Sequence, residues 1–284
     1  MTDPRNLELT RGPLRLALRP DLGGCIAGLW FDGLPVLRST EPAALERARL
    51  AGCYPLLPYS NRLGYRRFRW HGHDHTTQPN FDDSPHSVHG IGWQRAWTVA
   101  SAREHDAVLG LAHPGDADWP FAFEARQAIA LTDDGVNLGL SITNTGSAAA
   151  PFGLGWHPYF PKRQRSRLHA ELSERWDPDA AGLPTRRVPQ AGIDGDVAHL
   201  DFDHCFEGWR GAARVRDEKL ALRLTSSLTM LVVFTPPLKD YFCVEPVSHV
   251  SNAIHMAEPA KAGLRTLMPG EHMDAWFKLE IARP

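Results

Sequence analysis

Apolar residues in this chain fall in short runs, and in most runs they alternate with polar ones. A period of two marks strands that bury one face. Residues 7–10 and 14–18 alternate on either side of Arg11-Gly12-Pro13 and predict a hairpin. Residues 25–31 predict a third strand, which begins after Asp21-Leu22-Gly23-Gly24 and ends at the Asp32-Gly33 turn. Strands are predicted over 97–100, 107–112, 121–131 and 136–143, the last two joined through Thr132-Asp133-Asp134-Gly135. Others follow over 167–172, 209–215, 220–225, 229–235 and 274–281. Residues 176–193, rich in Pro, Gly and Asp, read as loop. Residues 42–50 predict one short helix behind Pro42, and 252–256 a helical turn.

The 23 Pro and 24 Gly are spread along the chain. Short apolar segments between frequent breaks predict an all-β sandwich or barrel. The 284 residues show no repeat, low-complexity tract or linker, so residues 1–284 are expected to form one domain.

Within this pattern the stretch 153–160, Gly-Leu-Gly-Trp-His-Pro-Tyr-Phe, stands out. As a strand it would turn Phe152, Leu154 and Trp156 to one side, and Gly153, Gly155 and His157 to the other. The glycines would clear a floor beneath the imidazole, and Pro158 would hold His157 extended and end the ladder. This is a way to mount a proton-transfer group under a flat ligand. A packed histidine in an aromatic corner is the competing reading.

Glu245 repeats the design, following an apolar run and preceding Pro246. Alternation places it with Tyr241 and Cys243, away from Phe242 and Val244. A carboxylate beside so much apolar surface needs a partner or a raised pKa. With His157 it could form an acid–base pair near neutral pH; a buried ion pair is the alternative.

Two extended, irregular segments carry further candidates. Residues 54–64 contain Pro55 and Pro58, which argue against helix or central strand. There Arg62 is either a surface arginine or a forked donor aimed at a ligand. Residues 80–93 form a long polar loop with His86 and His89, and Gly90 and Gly92 favour His89 by allowing close backbone approach. The triplet His71, His73 and His75 suggests a metal site, but Gly72 and the flanking strands fit a hairpin tip better.

A formal net charge of −2 gives no footprint for nucleic acid or an anionic membrane. No apolar run approaches the ~20 residues of a membrane span. The polar N-terminus shows no signal sequence, so a cytoplasmic location is expected. The four cysteines lack CxxC spacing and read as free buried thiols. The 9 Trp offer stacking surfaces for a ring-shaped ligand. GxSxG, GxGxxG after a strand, phosphate-loop and HExxH motifs are all missing.

Taken in order, several motifs resemble the aldose 1-epimerases, the galactose mutarotase-like proteins. They are Pro58-Tyr59-Ser60-Asn61-Arg62-Leu63-Gly64, His89-Gly90 with Trp93, and Gly155-Trp156-His157-Pro158-Tyr159-Phe160. Asp203-His204-Cys205-Phe206, Cys243-Val244-Glu245-Pro246 and Leu267-Met268-Pro269-Gly270-Glu271 follow. The resemblance implies a large antiparallel β supersandwich with one or two short helices, and a cofactor-free, metal-free reaction on a monosaccharide. It implies His157 as general acid and Glu245 as general base in ring opening. Arg62, His89, Asp203 and Asn61 would bind the sugar, and contacts from His86 or Trp93 stay open. The Asn-Arg-Leu-Gly pattern sits closer to the branch acting on unphosphorylated sugars. A non-catalytic sugar-binding protein and a sugar-phosphate epimerase are the alternatives. A monomer or homodimer is expected.

Overall fold

The computed structural model describes residues 6–82 and 84–284. The first five residues of the polar N-terminus, and Asp83 of the long polar loop, lie outside them. The chain is all-β, as expected. Its named strand pairs are antiparallel, and the described residues hold no α-helix, only three-residue 3-10 turns.

Two large sheets dominate. One, of nine strands, runs in the order Thr98–Ala102, Asp106–His113, Phe123–Leu131, Gly135–Asn144, His272–Ala282, Ala221–Ser226, Ala212–Arg216, Arg167–Ala170 and Ile193–Asp196. Its long strands alternate buried and exposed positions, so it has one core face and one solvent face. The other runs Pro184–Pro189, Glu174–Pro178, Asp203–Glu207, Met230–Phe234, Tyr241–Val247, Gly155–Trp156 and Pro55–Leu56, with Tyr159–Pro161 also paired to Tyr241–Val247. A four-stranded sheet, Leu7–Arg11, Leu14–Arg19, Cys25–Phe31 and Leu34–Pro35, packs beside them.

The main core joins Leu138, Phe277 and Leu224 of the first large sheet to Phe206, Leu231, Phe242 and Val244 of the second. The opposite face of the second sheet is buried too. Cys205, Val232, Cys243 and Val247 pack there with Tyr54, Trp93 and Tyr159 in a second cluster. This explains why Tyr241–Val247 reads as a nearly unbroken apolar run. Glu245 emerges on that second face.

Three local expectations are corrected. Residues 42–50 form two 3-10 turns, Pro42–Ala44 and Ala48–Leu50, instead of one helix. Arginines take the carbonyls a helix would use: Arg19 donates to Pro42 O and Leu45 O, and Arg38 to Arg49 O and Ala51 O. Residues 176–193 are mostly strand. Pro184 and Pro189 are tolerated because their strand is outermost, where a missing N–H breaks no ladder. The turn before it is held by Asp179 Oδ1, which accepts from Ala181 N and Leu183 N.

The third correction concerns the glycines of 153–160. The stretch is broken: Ala150–Phe152 pairs with Arg265–Leu267, then Gly155–Trp156 and Tyr159–Pro161 pair in the second large sheet. Phe152, Leu154 and Trp156 do enter the main core. The space above the glycines, however, is filled by protein. A Cβ on Gly153 would lie 2.1 Å from His249 Cδ2, and one on Gly155 would lie 2.8 Å from Pro246 O. They admit a histidine and a neighbouring strand.

Gly153→Ala should therefore lower the unfolding free energy by about 1–3 kcal/mol, the usual cost of overpacking. Gly139→Ala, whose Cβ would meet only Ala128 Cβ at 3.6 Å, should change it by less than about 0.5 kcal/mol. Urea unfolding of the two variants compares these directly, and equal losses would refute the steric account.

Candidate active site

The pairing of Gly155 with Val247 and of Tyr159 with Cys243 sets the register of the broken strand. That register puts His157 opposite Glu245. Pro158 and Pro246 lie within the interrupted part, where neither can donate to a ladder. His157 N–H donates instead to Tyr54 O at 3.0 Å on the other side. Glu245 does not end its strand, as expected from Pro246; it pairs with Val232 inside it, and the strand continues to Val247. The result is His157 Nε2 at 3.4 Å from Glu245 Oε1, with both residues buried.

Aromatic rings hold the imidazole. Tyr159 stacks on it at 4.4 Å and 11°, while Tyr54 and His89 lie 4.8 and 4.9 Å away. The Arg38 guanidinium covers the Tyr159 ring at 3.7 Å. Tyr159 OH is 3.1 Å from Tyr54 OH and 3.5 Å from His157 Nε2. His157 Nδ1 and Glu245 Oε2 have no hydrogen-bond partner among the described residues. Buried polar atoms of this kind are uncommon and call for an explanation.

The other histidines differ. His89 Nδ1 accepts the Asn61 backbone N–H at 3.1 Å, and His89 N–H donates to Asn61 O at 2.8 Å. In the neutral ring this places the proton on Nε2. Burial, and then the charge of Arg62, pushes His89 down to about 3. His249 Nε2 accepts from Ser60 N–H at 3.1 Å and its Nδ1 donates to Val250 O, and burial pushes it down to about 4. His86 is likewise used up, accepting from Tyr65 N–H and donating to Ala181 O. Trp93 Nε1 donates to Val88 O and Gly90 O. His86 and Trp93 therefore brace the loops and offer no free polar atom.

Asn61 has a left-handed backbone, φ 56°. Its Oδ1 accepts from Arg62 N–H, Arg62 Nη1 and Ser251 Oγ. Arg62 Nη2 donates to Asp203 Oδ2 at 3.0 Å. These residues surround a cavity of about 270 Å³ lined by Asn61, Arg62, Phe81, Ser84, Val88, His89, Asp203, Val232, Phe234 and Glu245. Such a volume suits one small molecule. Burial, then repulsion from Asp203, raises Glu245 well above the usual carboxylate range, and Arg62 opposes this. Burial, then His89 and Arg38, holds His157 well below its usual value.

All six residues singled out in the sequence thus meet here, five on the cavity wall and His157 against Glu245. Tyr54, Tyr159, Arg38, Phe81 and Ser84 were missed. Tyr159 had a signal, since it lies two residues beyond His157 and so shares its face; Arg38 had none. His71, His73 and His75 lie on the hairpin Arg67–Trp70/His73–Thr76, with His71 and His73 exposed. All four cysteines are free and buried, as expected.

Comparisons with known proteins bear on the family and the fold. Residues 5–280 match the family described as Aldose 1-epimerase. The chain is 32% identical over 290 residues to the uncharacterized protein YphB of Escherichia coli K12, covering 96% of this chain and 97% of that one. It is also similar to a crystal structure from Escherichia coli K12 provisionally assigned to the aldose 1-epimerases. That match has 30% identity and a TM-score of 0.89, covering 98% and 99% of the two chains. A galactose mutarotase-like protein from Clostridium acetobutylicum shares the fold at 20% identity and a TM-score of 0.85, covering 98% and 95%.

The buried histidines make stability pH-dependent. His89 and His249 stay neutral in the fold, whereas the unfolded chain binds protons below its pKa near 6.5. Stability should be complete above that value and fall on acidification towards 4 and 3. Each histidine contributes up to about 1.4 kcal/mol per pH unit. Urea unfolding between pH 7.5 and 4.5 measures the slope, and His249→Gln should reduce it by about one proton's worth.

Proposed function

This chain belongs to the aldose 1-epimerase family, and we propose that it interconverts the α and β anomers of a free aldose. The observation that carries this reading is the pair of unpartnered buried atoms, His157 Nδ1 and Glu245 Oε2, on adjoining groups beside a cavity sized for one sugar. Opening a pyranose needs one proton removed from the anomeric hydroxyl and one added to the ring oxygen.

Glu245, as carboxylate, takes the proton from the C1 hydroxyl. His157, as imidazolium, gives its proton to the ring oxygen as the bond from C1 to that oxygen breaks. The products are a C1 aldehyde and a C5 hydroxyl. Rotation about C1–C2 presents the other face of the carbonyl, and closure returns both protons. The half-reaction leaves a carboxylic acid and a neutral imidazole, the forms that burial favours. The same burial disfavours the charged starting pair, so what ring opening regains is what forming that pair costs. One shared proton makes the two groups a single titrating unit.

His89, neutral with its proton on Nε2, donates a hydrogen bond to the sugar without competing for the transferred proton. Arg62 and Asp203 orient ring hydroxyls, with Asn61 offering its Nδ2 donor. Tyr159 holds the imidazole plane by stacking. Arg62 is the only cationic side chain on the cavity wall among the described residues, and Asp203 balances it. Arg66 and Arg67 are not on that wall. This supports an uncharged aldose as substrate.

Polarimetry on fresh α-D-glucose, α-D-galactose and L-arabinose tests the reaction. Glu245→Gln and His157→Asn should each slow catalysis by about 10²–10⁴-fold. Mutarotation no faster than buffer on a broad sugar panel would remove the proposal, and full activity in Glu245→Gln would remove the base. Glucose 6-phosphate should react at least about tenfold less efficiently than glucose, equivalent to about 1.4 kcal/mol.

A further inference from the structure

Cys243 lies under the cavity floor, and ring opening makes no use of it. It stands two residues before Glu245 on the strand Tyr241–Val247, so both side chains leave the sheet on one face. His157 stands opposite Glu245 across the interrupted ladder. The ligand atoms of His157, Cys243 and Glu245 all lie within 4.8 Å of one another, and all three residues are buried. Among the described residues no other three donors converge in this way.

The donor set is one nitrogen, one sulfur and one carboxylate oxygen. A thiolate discriminates against magnesium and calcium and favours zinc or cobalt. Three protein ligands with a fourth, open position is a recurrent zinc arrangement. Bonds of about 2.0–2.3 Å would set tetrahedral donors about 3.3–3.8 Å apart. The His157–Glu245 separation of 3.4 Å already falls in that range. Among the described residues His157 Nε2, the nitrogen facing Glu245, has only a long contact of 3.5 Å with the Tyr159 hydroxyl to give up, and Cys243 is a free thiol. Of the three donors Glu245 lines the cavity, which gives an ion a route to the floor.

We infer that this floor binds a thiophilic divalent cation, with zinc as the natural fit, through Cys243, His157 and Glu245, and that the cation blocks the site. On binding, Cys243 releases its proton to solvent as the metal–sulfur bond forms, and the proton shared by Glu245 and His157 leaves to solvent as well. Glu245 binds as carboxylate and His157 as neutral imidazole. The ion then occupies the groups that ring opening needs. The inhibition rests on the mutarotase reading; the cation site does not.

The experiment uses the full chain, freed of metal with a chelator and kept under reductant. Cobalt chloride should produce a thiolate-to-metal absorption band in the wild type that Cys243→Ser and Cys243→Ala lack. Zinc chloride titrated by calorimetry should bind about 10–100-fold more weakly to both variants. Zinc should abolish mutarotation by the wild type, and added galactose should raise the zinc concentration required. Cys243→Ser should keep its metal-free rate and resist zinc. Absence of the band from the wild type, or equal zinc affinity in all three proteins, would overturn the cation site. If no sugar is a substrate, the mutarotase reading falls, and the cobalt band still decides the site.

Discussion

Everything at the cavity floor depends on one register. Gly155 pairs with Val247 and Tyr159 with Cys243, so His157 and Glu245 must face each other. The ladder is interrupted between those pairs, where Pro158 and Pro246 have no N–H to offer. An imidazole and a carboxylate are thereby brought to 3.4 Å in a buried place. A slip of one residue in the broken strand would turn the His157 side chain into the main core and away from Glu245.

The site sorts its histidines by what their nitrogens touch. His86, His89 and His249 each accept a backbone N–H on one ring nitrogen. His157 has no such bond, and its ring is held by stacking on Tyr159 beneath Arg38. Among the described residues this leaves Nδ1 without a hydrogen-bond partner and Nε2 with only the Tyr159 hydroxyl at 3.5 Å. The same burial that pushes His89 and His249 down drives His157 down and Glu245 up.

Much of the fold was legible along the chain. Strands such as Phe123–Leu131 and His272–Ala282 bury one face and alternate cleanly, so their apolar residues announce them. Legibility failed where a neighbour supplied the missing partner. The 42–50 segment looks helical by composition, yet Arg19 and Arg38 capture its carbonyls from outside. Pro184 and Pro189 look like loop residues until an edge position makes their missing donors harmless. Gly153 and Gly155 announced open space, but whether that space holds ligand or protein depends on where His249 and Pro246 lie.

What the sequence determined by itself is local. It set which residues alternate, where turns interrupt, and that His157 and Glu245 each sit beside a proline with apolar neighbours. Ordered motifs then pointed to a family and to six site residues, and all six converge. Only the tertiary structure decided that His157 and Glu245, 88 positions apart in the chain, share one register. It alone set the His89 tautomer through Asn61 N–H, the covering of Tyr159 by Arg38, and the placing of Cys243 beneath the pair. The physical reason is that side-chain chemistry is carried by the residue, whereas protonation and partnership depend on burial and on atoms brought from distant parts of the chain.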